Sequence, residues 1–295
     1  MDIKNKLFRH VALIGRPGKD IGDTLEAVKN YLLQKKISIT IEKNTAEMIT
    51  ENNLPVFFES EISDEIDLII VVGGDGSLLN AVHIALSHNL PILGINRGRL
   101  GFLTDISPDE LEKIGDVLTG NYITEFRSLI TANLIHENNT TRHLGIALNE
   151  IALLPGNLAQ LIEFDITINN QFVCKQRADG LIIATPTGST AYALSGGGPI
   201  LQPQLNAMVL VPMFPHTLSA RPIVVDGKSN IELSISENTQ NLPHLSCDGQ
   251  NRIAINTSDK ILISPYEKSL QLIHPTHYNY FATLREKLGW QSDLC

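Results

Sequence analysis

The sequence predicts two differently built parts: an α/β domain on a parallel sheet, then a β-rich domain. Over about the first 120 residues, apolar strand-like runs alternate with amphipathic helical ones, the pattern of a parallel sheet covered by helices. From about Thr124 onward, short segments of period-two alternation follow one another with little helical signal. One run, Leu68-Ile69-Ile70-Val71-Val72, is apolar throughout and passes directly into Gly73-Gly74-Asp75-Gly76-Ser77. It reads as a strand buried on both faces that enters a glycine turn.

Each element of the first part has its own signal. His10-Val11-Ala12-Leu13-Ile14 is a short strand ending in Gly15-Arg16-Pro17-Gly18-Lys19. That loop lacks the GxxxxGK[ST] spacing of a phosphate loop, and Asp20 stands where the hydroxyl residue belongs, so it reads as a plain turn. From Ile21 to Lys35, Leu25, Val28, Tyr31 and Leu32 share one face of an amphipathic helix. Ile37 to Ile41 alternates as a second strand, and a polar stretch leads to Leu68. After the glycine turn, Ser77 is placed to cap a helix carrying Leu79, Val82 and Leu86 at helical spacing. Pro91 to Asn96 is another buried strand, ending in Arg97-Gly98-Arg99-Leu100-Gly101. Pro108 to Leu118, with Leu111, Ile114 and Leu118 in register, is a further helix. Ligands on such sheets bind at the carboxyl ends of the strands, where these three loops belong.

In the second part, Ile130 to His136, Leu144 to Leu154, Leu161 to Ile168 and Gln171 to Arg177 read as strands, and Asn169-Asn170 is a two-residue hairpin turn. Val209 to Val211, Ile223 to Val225, Ile231 to Ile235, Arg252 to Ile255 and Lys260 to Ser264 continue the pattern. Asn279 to Leu288 is amphipathic again. The expected division is 1–124 for the α/β domain, 125–275 for the β-rich domain and 276–295 for a helix returning to the first domain.

Bulk properties exclude several classes. The 295 residues are 43% hydrophobic and 19% charged, which calls for a packed core. A net charge of −9 argues against a general nucleic-acid or membrane-surface binder. No apolar run approaches the roughly 18 residues that span a bilayer. Residues 1–6 lack the apolar core of a signal peptide. Cys174, Cys247 and Cys295 are scattered, with no CxxC pair, so neither a disulfide framework nor a zinc site is indicated. The expected location is the cytoplasm.

Two stretches carry chemistry. A strand, a glycine-rich turn and a helix N-terminus together make an anion site, with free N–H groups and a favourable dipole. Asp75 is unwelcome beside phosphates unless it binds a cation or takes a proton; otherwise it merely closes the turn or caps the helix. The second stretch runs from Arg177-Ala178-Asp179-Gly180 through Thr185-Pro186-Thr187-Gly188-Ser189-Thr190-Ala191-Tyr192-Ala193-Leu194-Ser195 to Gly196-Gly197-Gly198-Pro199. Its hydroxyls and N–H groups suit a ribose, a phosphate or a purine edge; the alternative is a structural turn with self-capping hydroxyls. Asn149-Glu150 interrupts an apolar run. It is either an exposed edge or an amide–carboxylate pair that reads a base and a ribose.

GGDGS at 73–77, NE at 149–150, ADG through TPTGSTAYALSGGGP at 178–199, PHTLSARPIV at 215–224 and CDGQ at 247–250 occur in this order. Together they resemble ATP-dependent NAD kinase of the bacterial type, over roughly residues 10 to 275. GGDG alone is weak, being shared with lipid kinases; the TPTGSTAY to SGGGP stretch is much more specific. Ser77 stands where many members have Asn. The resemblance implies a Rossmann-like α/β fold with a β-rich partner domain, and transfer of the γ-phosphoryl group of ATP to the 2′-hydroxyl of the adenosine ribose of NAD. It makes Asp75 the proton acceptor and Gly73, Gly74 and Gly76 the phosphate loop. Position matters more than basicity for such an acceptor. NAD contacts fall on Asp75, Gly76, Asn149, Glu150, Arg177, Asp179, Thr190, Ala191, Tyr192, Ala193, Leu194, Ser195 and Gln250, and His216 approaches the phosphates. In some members Arg177 and Asp179 are contributed by a neighbouring subunit. A divalent cation, magnesium, is the implied cofactor, its ligands unassigned. A homodimer or homotetramer formed through the β-rich domain is implied, with the NAD site between the two domains.

Competing readings are a lipid kinase, which needs an apolar cleft or a membrane-binding surface, and a non-catalytic dinucleotide sensor, to which Asp75 would bring nothing. A dehydrogenase fits less well, because no GxGxxG follows a first strand.

Overall fold

A computed structural model describes residues 6–16, 21–49, 53–58, 61–156, 161–237, 239 and 242–290. The chain forms two compact units, Met1–Phe126 together with Leu270–Cys295, and Arg127–Ser269.

In the first unit β1 (His10–Gly15) leads through α1 (Gly22–Gln34) to β2 (Ser38–Glu42), the short α2 (Lys43–Ala46) and β3 (Val56–Phe57). β4 (Leu68–Val72) enters α3 (Asp75–His88), and β5 (Ile92–Ile95) is followed by a 3-10 turn (Pro108–Glu110), α4 (Glu112–Leu118) and β6 (Tyr122–Arg127). All five residues of β4 are fully buried, as the apolar run requires. α1 lays Leu25, Val28 and Leu32 against Val11, Leu13 and Ile70 of the sheet core. α2 forms within the polar stretch because the Glu42 carboxylate accepts the N–H groups of Asn44 and Thr45. Pro17, Gly18 and Lys19, read as a plain turn, lie outside the described residues.

The second unit begins with β7 (Ile130–Ile135), β8 (Thr141–Ala147), β9 (Glu150–Leu154), β10 (Ile162–Ile168), β11 (Gln171–Ala178) and β12 (Gly180–Ala184). A 3-10 turn (Gly188–Thr190) and the one-turn α5 (Tyr192–Ser195) follow. Next come β13 (Ala207–Met213), β14 (Ile223–Asp226), β15 (Ile231–Ile235), β16 (His244–Cys247), β17 (Gln250–Ala254) and β18 (Lys260–Pro265). The chain then returns to the first unit with β19 (Leu270–Pro275) and α6 (Tyr280–Leu288).

The first sheet runs β3-β2-β1-β4-β5-β19-β6, with β2, β1, β4, β5 and β19 paired in parallel. The second unit stacks two six-stranded antiparallel sheets, β11-β10-β15-β18-β7-β8 and β14-β13-β12-β9-β16-β17. Their inner faces share one core: Phe164, Leu233 and Ile263 from the first meet Ile151, Leu181, Leu210 and Leu245 from the second. β12 is buried on both faces, and its Ile182 and Ala184 pack in a separate cluster with Ala193, Leu201, Val209 and Val211. The hydroxyl-rich stretch therefore lies on the outer face of that sheet. Asn169 and Asn170 have φ of 50° and 63°, as a two-residue hairpin of this type demands.

Four expectations change. The strand expected over Leu144 to Leu154 is two, β8 and β9, in different sheets; both are half-covered or covered, so the apolar run conceals the crossing at Leu148-Asn149. Residues 270–275, expected in the β-rich domain, pair as β19 with β5 in the parallel sheet. Ser77 is no cap: α3 starts at Asp75 with Gly74 as its N-cap and no capping side chain, which leaves Ser77 buried in the first turn. The buried face of α3 accordingly centres on Leu78, Ala81, Val82 and Ala85, with Leu79 only partly covered.

Candidate active site

The glycine turn of the first unit sits at the carboxyl end of β4. Gly73 has φ of 151°, and a Cβ there would stand 2.2 Å from Ser77 Oγ, so the protein itself requires glycine at this point. Gly74 and Gly76 differ: a Cβ on either meets nothing within 4 Å. The space beside them is open to a ligand.

Asp75 projects from the first residue of α3 onto the segment after β5. Its Oδ2 accepts the Phe102 N–H at 3.0 Å, and its Oδ1 accepts the Leu103 N–H at 3.0 Å and the Thr104 hydroxyl at 3.5 Å. That segment folds back over Gly94, where a Cβ would lie 2.5 Å from Leu103 O. It is tied to β5 by Asn96 N–H donating to Ile106 O at 2.8 Å and Ile106 N–H donating to Gly94 O at 3.4 Å. A carboxylate has about four lone-pair sites, so with these donors in place Asp75 can still accept another proton or hydrogen bond. A Cβ on Gly101 would fall 2.3 Å from Asp75 Oδ1 and 2.3 Å from Thr104 Oγ1. The aim of this carboxylate is thus set by backbone geometry.

In the second unit the crossing from β8 to β9 forms a nest of three N–H groups. Asp248 fills it: Oδ2 accepts from Leu148 at 2.8 Å, and Oδ1 from Asn149 at 2.7 Å and Glu150 at 3.0 Å. Asp248 and Gly249 form the β16–β17 turn, both at positive φ (50° and 71°), the conformation an Asp-Gly hairpin favours. Thr185 joins this crossing to the hydroxyl-rich turn, its N–H donating to Asn149 O and its hydroxyl to Leu148 O. Gly188 packs so tightly on Asn149 that a Cβ would stand 2.0 Å from the Asn149 carbonyl oxygen.

Glu150 is 7% exposed. Burial, and next the Asp248 charge, push its pKa up to about 7 against a hydrogen bond from the Tyr192 N–H. Its Oε2 is buried with no hydrogen-bond partner among the described residues. Asn149, Glu150, Ala191 and Tyr192 are thereby gathered at one place, with Gln250 just beyond the Asp248-Gly249 turn. Tyr192 and Ser195 line one side of a cavity of about 620 Å³ whose other side is formed by Met213, Phe214, Leu218 and Arg221.

Other expected contacts are disposed differently. Ala193 is fully buried in the Ile182 cluster, because a single helical turn presents one residue to the sheet beneath it, so its methyl offers a ligand no surface. The Ser189 and Thr190 hydroxyls donate to Pro186 O and Thr187 O, the self-capping role. Gly196 and Gly198 permit close packing on Val211. Arg177 and Asp179 lie at the far end of the sheet from Glu150: Glu150 pairs with Ala184, five residues on from Asp179, about 16 Å along a strand. There, Asp179 N–H donates to Met213 O, and the exposed His216 donates its N–H to Arg177 O. Asp248 and the 102–104 segment were not identified as functional from sequence; only the Asp-Gly hairpin signal and the glycine-punctuated loop mark them.

A fixed carboxylate beside an open glycine turn at the end of a parallel sheet fits phosphoryl transfer to a hydroxyl, and the buried carboxyl among amides in the second unit fits a ribose-bearing substrate. The class is a phosphotransferase acting on a nucleotide. Residues 11–122 match the ATP-NAD kinase N-terminal domain and residues 148–275 the ATP-NAD kinase C-terminal domain. The chain belongs to the NAD kinase family. It is 55% identical over 285 residues to NAD kinase of Coxiella burnetii (strain RSA 493 / Nine Mile phase I), covering 96% of this chain and 95% of the relative. With NAD kinase of Pseudomonas entomophila (strain L48) it shares 50% over 289 residues, 97% of each. Yeast NADH kinase, solved with NADH, superposes with a TM-score of 0.84 at 25% identity, covering 98% of this chain and 90% of that one. An Archaeoglobus fulgidus NAD kinase, solved with ATP, gives 0.67 at 26% identity, covering 94% and 99%. These relatives support neither the lipid-kinase nor the sensor reading.

Gly101→Ala provides a test of the Asp75 geometry. Displacing the carboxylate is expected to lower kcat on the order of tenfold with the carboxylate still present, measured as steady-state NADP formation. An unchanged kcat would show that the 101–104 segment does not set the position of Asp75.

Proposed function

We propose that the protein transfers the γ-phosphoryl group of ATP to the 2′-hydroxyl of the adenosine ribose of NAD, with Asp75 as the proton acceptor. The 2′-oxygen forms a bond to phosphorus, the bond from phosphorus to the β–γ bridging oxygen breaks, ADP leaves, and the hydroxyl proton passes to an Asp75 oxygen. The observation that carries this reading is the Asp75 carboxylate, aimed by two backbone N–H groups beside glycines that leave open space. Such transfer depends mainly on positioning and charge stabilisation.

Asn149, Glu150, Tyr192 and Ser195 hold the adenosine in this reading, and Glu150 Oε2 is the buried acceptor a ribose hydroxyl would satisfy. Among the described residues no group of three acidic, histidine or cysteine side chains could hold a metal alone. Magnesium is ordinarily held by one or two carboxylates together with substrate phosphates. It therefore enters on the donor's phosphates and neutralises their charge. Exposed apolar side chains on the second unit, Phe172, Val173, Phe214, Leu218, Ile223 and Val224, favour a homo-oligomer formed through that unit. Arg177 and Asp179, remote from Glu150 in one copy, would then serve a neighbour. Among the described residues no helix is long and apolar enough to cross a membrane. The free thiols Cys174 and Cys247 suit a reducing cytoplasm.

Incubating the pure protein with NAD, ATP and magnesium, and reading NADP with a dehydrogenase that accepts only NADP, tests the proposal. Product dependent on all three is expected. Tight NAD binding without product would overturn it.

A further inference from the structure

The first unit buries a cluster of three ionisable side chains that the chemistry above leaves unused. His274 on β19 is 1% exposed. Its Nδ1 lies 3.1 Å from Asp105 Oδ2, and its Nε2 3.5 Å from Glu125 Oε2 on β6. Its ring stacks on Tyr278 with centroids 3.8 Å apart. Burial works against the imidazolium, but the hydrogen bonds and charges of Asp105 and Glu125 outweigh it, and the His274 pKa is raised. Only the protonated ring donates from both nitrogens, and only a cation offsets two buried carboxylates.

Asp105 belongs to the segment that holds Asp75. Phe102 and Leu103 give their N–H groups to the Asp75 carboxylate, Thr104 adds its hydroxyl, and Asp105 comes next. One end of this segment is thus fixed on Asp75 and the other on His274.

We infer that His274 is a positioning residue for phosphoryl transfer: clamped between Asp105 and Glu125, it holds the backbone that aims the Asp75 carboxylate. The inference rests on Asp75 being the proton acceptor. His274 acts through Asp105 and touches no substrate.

His274→Gln keeps a donor and much of the bulk but loses the charge. In the full-length enzyme kcat is expected to fall roughly tenfold while KM for NAD and ATP stays within about twofold. A residue that merely stabilises the sheet would lower the melting temperature and leave kcat of the folded protein intact. In an Asp75→Asn background, measured by single turnover with excess enzyme, the same change should cost less than about twofold, because the group being aimed is gone. Asp105→Asn makes the same prediction should His274→Gln fail to fold. Parental kcat in either folded variant, or a tenfold loss in both backgrounds, overturns the inference. Turnover that survives Asp75→Asn alone strikes instead at the acceptor role, which that single variant reads separately.

Discussion

Asp75→Asn is expected to lower turnover by roughly 10²- to 10⁴-fold, the range for loss of a positioned proton acceptor. Affinity for NAD should stay within about a few-fold, since the interaction removed is made mainly in the transition state. The substitution has a second consequence. Both carboxylate oxygens accept a backbone N–H, so the new amide must turn a donor toward Phe102 or Leu103. A buried donor facing a donor costs about 1–3 kcal/mol, and the melting temperature should fall with it. Steady-state kinetics and a thermal melt on one preparation separate the two effects. Turnover that survives would remove Asp75 from the chemistry without touching the family assignment.

Glu150 yields the other large effect, and it concerns stability. Desolvation, aided by the Asp248 charge, raises its pKa from 4.5 to about 7. A group raised in the folded state contributes stability that is fully present below its unfolded value and is lost as pH climbs through the folded one. The window is therefore about pH 4.5 to 7, and the difference across it is about 3 kcal/mol. Glu150→Gln mimics the neutral acid and cannot ionise. It should match the parent near pH 4.5 and exceed it at pH 8 by up to about 3 kcal/mol in urea unfolding. Because a carboxylate acceptor is lost, KM for NAD should rise on the order of tenfold, a trade of function for stability. A stability difference that does not change between these pH values would show that the Glu150 carboxyl is not destabilised by burial.

What could be read from sequence follows from how local each signal is. β4 was legible because a strand buried on both faces must be apolar throughout, and the glycine turn because only glycine tolerates φ near that of Gly73. Asn169-Asn170 was legible for the same reason. The break at Leu148-Asn149 was not, since both flanking strands bury side chains and the chain changes sheets without changing composition. Ser77 invites a capping role by residue type, yet Gly74, whose ψ is already extended, takes the position one turn earlier. Of the candidate site, Asp75, Asn149 and Glu150 were visible as polar residues in apolar surroundings. Their supports, the Phe102 and Leu103 N–H groups and the Asp248 carboxylate, were not, because a backbone donor leaves no trace in residue identity and Asp248 lies about 100 residues from the amides it holds.

The place of β19 has a consequence for how the molecule is made. It lies between β5 and β6 in the first sheet, yet it is synthesised after all of 127–269. When residue 126 has left the ribosome, β5 still shows a bare edge with Leu93 and Ile95 behind it, and β6 has no strand to join. Edges of this kind recruit other chains, and closing so long a loop is slow. The second unit, contiguous from end to end, carries no such debt and can finish first. Completion of the first then waits for the last 26 residues, so a truncation near the carboxyl terminus would harm the unit that begins the chain.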